Sequence, residues 1–321
     1  MKNTRLYIIG NGFDLHHGLK TSYKNFATYL EKYNNNLYVW LSKYVRYSNT
    51  DKDLWSNFEA NLAKLDTDSI LDDNSIQLPN FNDDNLRYRD AYKFPDAMSW
   101  ELEFVEVLFD SFREFILQTS NKDYDENAKI ELDCSSSFLN FNYTNSLEEI
   151  YSIDRVNILY LHNSAFECDR VVLGHGVDPA NFKDDLLDDL DCVEIPDWIG
   201  KNLAYDYPYD EGQEIIEQSF DYTFKPTETI IDQYKNYFES LSTINKVFVL
   251  GHSISEVDLP YFKEIANNVD PNAKWTISCF NDDEPKRFTE TLGKLGVGQN
   301  NISFIKLEDI KIKNRHLKID F

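Results

Sequence analysis

The sequence predicts an α/β fold whose sheet is mainly parallel and flanked by helices. Three observations predict it. Short apolar runs alternate with amphipathic helical patterns, most clearly in the last third of the chain. The first run, LYIIG, is apolar and ends in glycine, as a strand buried on both faces does. Five such runs lead into polar clusters, and in parallel sheets ligands bind beyond the carboxyl ends of the strands.

Taken in order, LYIIG is the first strand, and a polar stretch with GNGFD follows it. A helix is expected from Thr21 or Ser22, either a good N-cap, through YKNFATYLEKY. LWSNFEANLAKL is a second helix, with Leu54, Phe58, Leu62 and Leu65 on one face. Residues 66–96 are rich in Asp and Asn without a sustained period, which predicts a loop or insertion. MSWELEFVEVLFDSFREFIL is a strong amphipathic helix. SSFLNFNYT, NILYLHN and VVLGHG read as strands, with NSLEEIY as a short helix after the first. Residues 178–210 are acidic and irregular, and a loop or lid is expected there. GQEIIEQSF and TETIIDQYKNYFESL are helical. The end alternates KVFVLGHS strand, VDLPYFKEIANNV helix, WTISCF strand, EPKRFTETLGKLG helix and ISFIKL strand. The expected architecture is one Rossmann-like domain over 1–321, with helical or loop insertions near 66–96 and 178–210.

Composition bounds the function. With 321 residues and 42% hydrophobic content, the chain can bury a full core. A formal net charge of -24 repels phosphate backbones and excludes an extended nucleic-acid surface. No apolar run approaches the ~20 residues that span a bilayer, and no secretory pattern opens the chain, so a cytoplasmic protein is expected. Cys134, Cys168, Cys192 and Cys279 form no CxxC pair, which argues for reduced thiols and no metal site.

The polar clusters are GNGFD, NYTN, HN, GHG and GHSIS. If their strands share a sheet, Asn11, Asp14, Asn142, His162, His175, His252 and Ser253 converge along one edge. Bland readings stand beside this one. Gly10 and Gly12 serve a tight turn as readily as a phosphate, because the third glycine of GxGxxG is replaced by Leu15. Asp14 suits a turn or cap. Thr144 is the better N-cap candidate for NSLEEIY, and Asn142 the poorer. A lone strand-end histidine is commonly a satisfied core residue.

The blocks IIGNGFDLHHGLKTSYKNF, LWSNFE, FNYTNSLEEIY, YLHN, VVLGHG and VFVLGHSISEVDLPYF, in that order, resemble the AbiH family of bacterial abortive-infection proteins, which act in phage defence. One departure is His162-Asn163, where the family usually has His-Gly. More distantly, the order IIGNGFD, FNYT, LHN, LGHS is similar to that of sirtuin-like domains, several of which hydrolyse NAD in phage defence. That resemblance implies a Rossmann-like fold and NAD or a related nucleotide as ligand or substrate, with no other cofactor required. It places Gly10, Asn11 and Gly12 against the dinucleotide, and Asn142 and His162 at the reaction centre. The Gly251–Ser253 turn, with His252, falls beside the adenosine half. Asp14, as a ribose contact, and Thr144 belong to the same cofactor-facing set. A phage-derived trigger and a second copy of the chain are the partners left open.

Two rivals remain. FVLGHSIS has the setting of a nucleophile elbow, with Ser253 as nucleophile, but Ser255 replaces the last glycine and the only later histidine is His316. A non-enzymatic nucleotide sensor would use the same residues for binding alone.

Overall fold

The computed structural model describes residues 4–49, 51–80, 83–119, 124–182 and 197–310. The chain divides into two compact units. The first comprises Met1–Phe26, Phe112–Val172 and Pro226–Phe321; the second comprises Ala27–Ser111 and Leu173–Lys225. The strands are β1 (Arg5–Ile9), β2 (Ser137–Asn140), β3 (Ile158–Tyr160), β4 (Lys246–Leu250), β5 (Lys274–Ser278) and β6 (Ile302–Ile305). The helices are α1 (Asn11–His16), α2 (Tyr23–Tyr33), α3 (Asn35–Tyr44), α4 (Phe58–Leu62), α5 (Thr67–Asn74), α6 (Lys93–Thr119), α7 (Ser146–Tyr151), α8 (Asp197–Tyr222), α9 (Thr227–Gln233), α10 (Lys235–Ser240), α11 (Leu259–Asn268) and α12 (Glu284–Lys294).

Among the described residues the six strands belong to the first unit and form one sheet in the order β3-β2-β1-β4-β5-β6. Every pairing is parallel. The α/β fold read from the sequence is therefore the fold observed, and its strand order is that of doubly wound dinucleotide-binding sheets. LYIIG sits centrally, between β2 and β4. Its alternation sorts the core into two layers. Leu6 and Ile8 pack with Val249, Phe262 and Trp275 on one face. Tyr7 and Ile9 pack with Phe13, Phe138 and Leu147 on the other. Burying a side chain of this size contributes about 1.5–3 kcal/mol, so a polar residue at Leu6 or Ile8 would break the sheet at its centre. In register, Ile9 faces Asn140 on one side and Leu250 on the other. Three adjacent strands thus end at one level, and the segments that follow them meet.

The second unit is helical. Leu37, Trp40, Leu41 and Tyr44 of α3 are buried, and Asn34 caps the helix by accepting from the Leu37 N–H at 3.3 Å. Trp40 stacks on Phe104 of α6 with ring centres 5.4 Å apart and donates its indole N–H to Glu101 at 2.7 Å. Both segments expected as insertions, 66–96 and 178–210, fall in this unit.

Four local expectations are corrected. The helical pattern does not wait until Thr21 or Ser22, because α1 occupies Asn11–His16 within the polar stretch that follows LYIIG. Residues 66–96 contain α5, capped by Asp66, which accepts from the Ser69 N–H at 3.0 Å. Of 178–210, residues 183–196 lie outside the described residues, while 197–210 belong to α8. VVLGHG is not a strand of the sheet. The Val172 N–H bonds back to the His162 oxygen at 2.9 Å, and Gly174 takes φ +154°. A short apolar run ended by glycine fits a buried irregular segment as well as a strand. Among the described residues, no helix is long and apolar enough to cross a membrane.

Candidate functional site at the carboxyl edge of the sheet

The turns after β1 and β4 are packed backbone against backbone. A methyl group on Gly10 would lie 2.6 Å from His252 Cα, and one on Gly251 would lie 2.0 Å from Phe13 N. Gly251 also takes φ +67°, a conformation that glycine adopts without the usual steric penalty. The Gly10 N–H donates to the Leu250 oxygen at 3.0 Å, the Gly12 N–H to the Gly251 oxygen at 2.7 Å, and the Phe13 N–H to the Gly10 oxygen at 2.9 Å. Three of the four amides from Gly10 to Phe13 are thus engaged within the protein. The glycine pair lets two strand-end turns touch. Asn11 is exposed, yet its amide side chain holds Thr21, accepting from Thr21 Oγ1 at 2.5 Å.

Asn142 joins this pair of turns to β2. Its Nδ2 donates to the Gly10 oxygen at 3.1 Å, and its N–H donates to Asn140 Oδ1 at 3.0 Å. Beside it lies Asp14, fully buried. Thr144 Oγ1 donates to Asp14 Oδ2 at 2.6 Å and Ser146 Oγ donates to Oδ1 at 2.7 Å. Burial pushes the Asp14 carboxyl up to about 6, against the lowering effect of hydrogen bonds from Thr144, Ser146 and Asn142. Both carboxyl oxygens are occupied internally, and Thr144 is 1% exposed. The structure therefore presents Asp14 and Thr144 as supports under Asn142.

His162 and His252 lie on the opposite layer of the sheet. His162 follows β3 and packs against Phe141 and Tyr261, with ring centres 5.3 and 5.7 Å away. His252 packs against Phe141 at 4.4 Å and Phe262 at 5.0 Å. Between them stands Asp258. Its Oδ1 is 3.8 Å from His162 Nε2 and its Oδ2 is 3.6 Å from His252 Nε2. The Ile254 N–H donates to His252 Nδ1 at 2.8 Å, so neutral His252 carries its proton on Nε2, facing Asp258. Ile254 itself takes φ +51°, strained for a β-branched residue and of a kind concentrated at functional sites. Asn163 takes φ +64°. Asn is the residue besides glycine that tolerates this region, which explains how His-Asn stands in place of His-Gly.

The structure brings Gly10, Gly12, Asn142, Gly251 and His252 into one cluster, with His162 linked through Asp258. His175 is not at the end of a sheet strand. It belongs to the second unit, where its N–H bonds the Thr223 oxygen at 2.8 Å, and burial lowers its pKa to about 4. Ser253 is exposed, and among the described residues its hydroxyl has no hydrogen-bond partner. Its carbonyl accepts from Arg287 at 2.8 Å. His316, the histidine its triad would require, lies outside the described residues.

Sequence reasoning missed Asp258, although it lies within VFVLGHSISEVDLPYF. It also missed Ser278 at the end of β5, whose hydroxyl accepts from the Gly251 N–H at 2.7 Å. His17 is a buried structural residue, donating from Nδ1 to the Phe13 oxygen at 2.7 Å and accepting from Tyr151 at 2.6 Å.

No curated protein and no solved structure matches the chain. A family model does, that of bacteriophage abortive infection AbiH, over residues 6–279. That span takes in the sheet from β1 through β5, Asn142, both paired histidines and Asp258, and the chain belongs to the AbiH family of phage abortive-infection proteins.

Proposed function

We propose that this AbiH protein acts in abortive infection by binding NAD or a related nucleotide and hydrolysing its nicotinamide–ribose bond. Membership of the family implies the role in abortive infection; the chemistry is our reading. The observation that carries it is the placement of Asn142 and His162 after adjacent strands, β2 and β3, of a sheet with the dinucleotide-binding order.

In the proposed reaction the C1′–N bond breaks through an oxocarbenium-like transition state, and nicotinamide leaves as a neutral base with the bonding electron pair. A water oxygen bonds to C1′, and its proton passes to an imidazole nitrogen of His162 acting as general base. Asn142, anchored on the Gly10 oxygen, orients the water or a ribose hydroxyl. The Gly251–Ser253 turn meets the adenosine half, buttressed by Gly10–Gly12. Asn142 and His162 are 5% and 3% exposed, which suits a toxic activity held silent until a phage-derived trigger acts. The same burial favours a second reading, a nucleotide-binding sensor that signals through partners.

Incubating purified protein with NAD and following nicotinamide separates these readings, since a sensor binds without releasing it. Asn142→Ala and His162→Ala should each abolish release, as loss of a general base costs about 10²–10⁴ in rate. Ser253→Ala should weaken binding by about 1 kcal/mol at most. A serine hydrolase would show the reverse: loss with Ser253→Ala and retention with Asn142→Ala.

A further inference from the structure

The geometry points to Asp258 as the positioning residue for His162, a nearly buried carboxylate set between two imidazoles and placed to hold His162 ready to take a proton. Its catalytic meaning rests on the reading of His162 as a general base. Asp258 stands at the N-cap position of α11, where an Asp side chain ordinarily accepts from the helix amides. Here it makes no such capping bond. It turns instead towards His162 and His252, at 3.8 and 3.6 Å. Ser255 Oγ donates to its Oδ2 at 2.8 Å, fixing the carboxylate from the side of the β4 turn. The carboxylate stands at the start of α11, the positive end of the helix dipole.

The walls of this cluster are aromatic. Phe141, Tyr143 and Tyr261 surround His162; Phe141 and Phe262 surround His252. Two of these neighbours, Tyr143 and Tyr261, bring phenol hydroxyls. Tyr143 donates its hydroxyl to the Val172 oxygen at 2.9 Å. Arg287, from α12, is directed to the Ser253 carbonyl. Asp258 is a charge that faces both imidazoles. An aromatic enclosure disfavours an imidazolium, and an adjacent carboxylate favours it. Asp258 is the carboxylate that would stabilise His162 when it takes a proton. It also faces the His252 Nε2–H at 3.6 Å, whose tautomer the Ile254 amide has already set.

The test is an NMR titration of the histidine Cε1–H signals in the full chain, between about pH 5.5 and 8. His162→Gln and His252→Gln assign the two resonances. In Asp258→Asn both titrations should fall by at least about one pH unit, the effect of removing an adjacent opposite charge. Asp258→Glu, which keeps the charge, should restore most of that shift. Ser255→Ala, which frees Oδ2 from the hydroxyl, should raise both titrations, and it serves if the Asn variant fails to fold. Unmoved titrations in Asp258→Asn, or in Ser255→Ala, overturn the proposal whatever the protein does to NAD. Titrations that move as described uphold Asp258 as the controlling anion. If wild-type protein then released no nicotinamide, only the hydrolase reading would fall.

Discussion

Replacing Asp14 by Asn should remove a pH-dependent weakness from the first unit. Asp14 is fully buried, and burial raises its carboxyl from the ordinary 3.8 to about 6. The folded protein therefore binds this proton more tightly than the unfolded chain does. Its contribution to stability is fully present below the unfolded value and is lost as pH rises through the folded one. At about 1.4 kcal/mol per pH unit, the whole gap is worth about 3 kcal/mol. Between pH 5.0 and 7.5 the loss works out at about 1.4 kcal/mol. Asn cannot titrate, and its amide can still exchange hydrogen bonds with the Thr144 and Ser146 hydroxyls. Urea unfolding of both proteins, followed by circular dichroism across this range, isolates the effect, because every other titrating group cancels in the difference. The wild type should lose about 1.4 kcal/mol relative to Asp14→Asn between the two ends. A flat difference would mean that the carboxyl is not raised.

Two further substitutions probe the packing. Gly251→Ala should destabilise by more than about 3 kcal/mol, combining a left-handed backbone with a methyl group 2.0 Å from Phe13 N. Gly293→Ala, which meets nothing within 4 Å, should gain up to about 1 kcal/mol; equal midpoints for the two variants would refute the backbone-contact argument. In the second unit, Glu59→Gln leaves Lys225, 1% exposed, without the carboxylate 2.5 Å from its Nζ. That change should cost about 3 kcal/mol in urea unfolding, and a neutral result would show that the pair is replaceable.

The sheet was legible because its strands are short apolar runs with helices between them, and LYIIG could only be central. α1 and α3 were missed for different reasons. α1 is six residues long and starts with Asn-Gly, residues that read as turn. α3 carried a readable signal, Asn34 followed by Leu37, Trp40, Leu41 and Tyr44, that fell between two stronger helices. VVLGHG shows the reverse error, since an apolar run specifies burial and leaves the hydrogen-bond partner open. At the site, pattern placed Asn142, His252 and Gly251 at one edge. Pattern could not say that the glycines exist for the contact between two turns, because that contact is made by residues about 240 positions apart in sequence. Nor could it find Asp258, whose position at a helix start is that of a cap.

The central claim is that Asn142 and His162 carry out nucleotide cleavage during infection. The direct measurement is the nucleotide pool of phage-infected cells, by mass spectrometry, in cells carrying wild-type protein, Asn142→Ala or His162→Ala. The account predicts that NAD or a related nucleotide falls, with nicotinamide rising, only in the wild type, and that both variants lose protection while remaining folded. Protection by both variants, with nucleotide levels the same in all three strains, would contradict it and leave the sensor in its place.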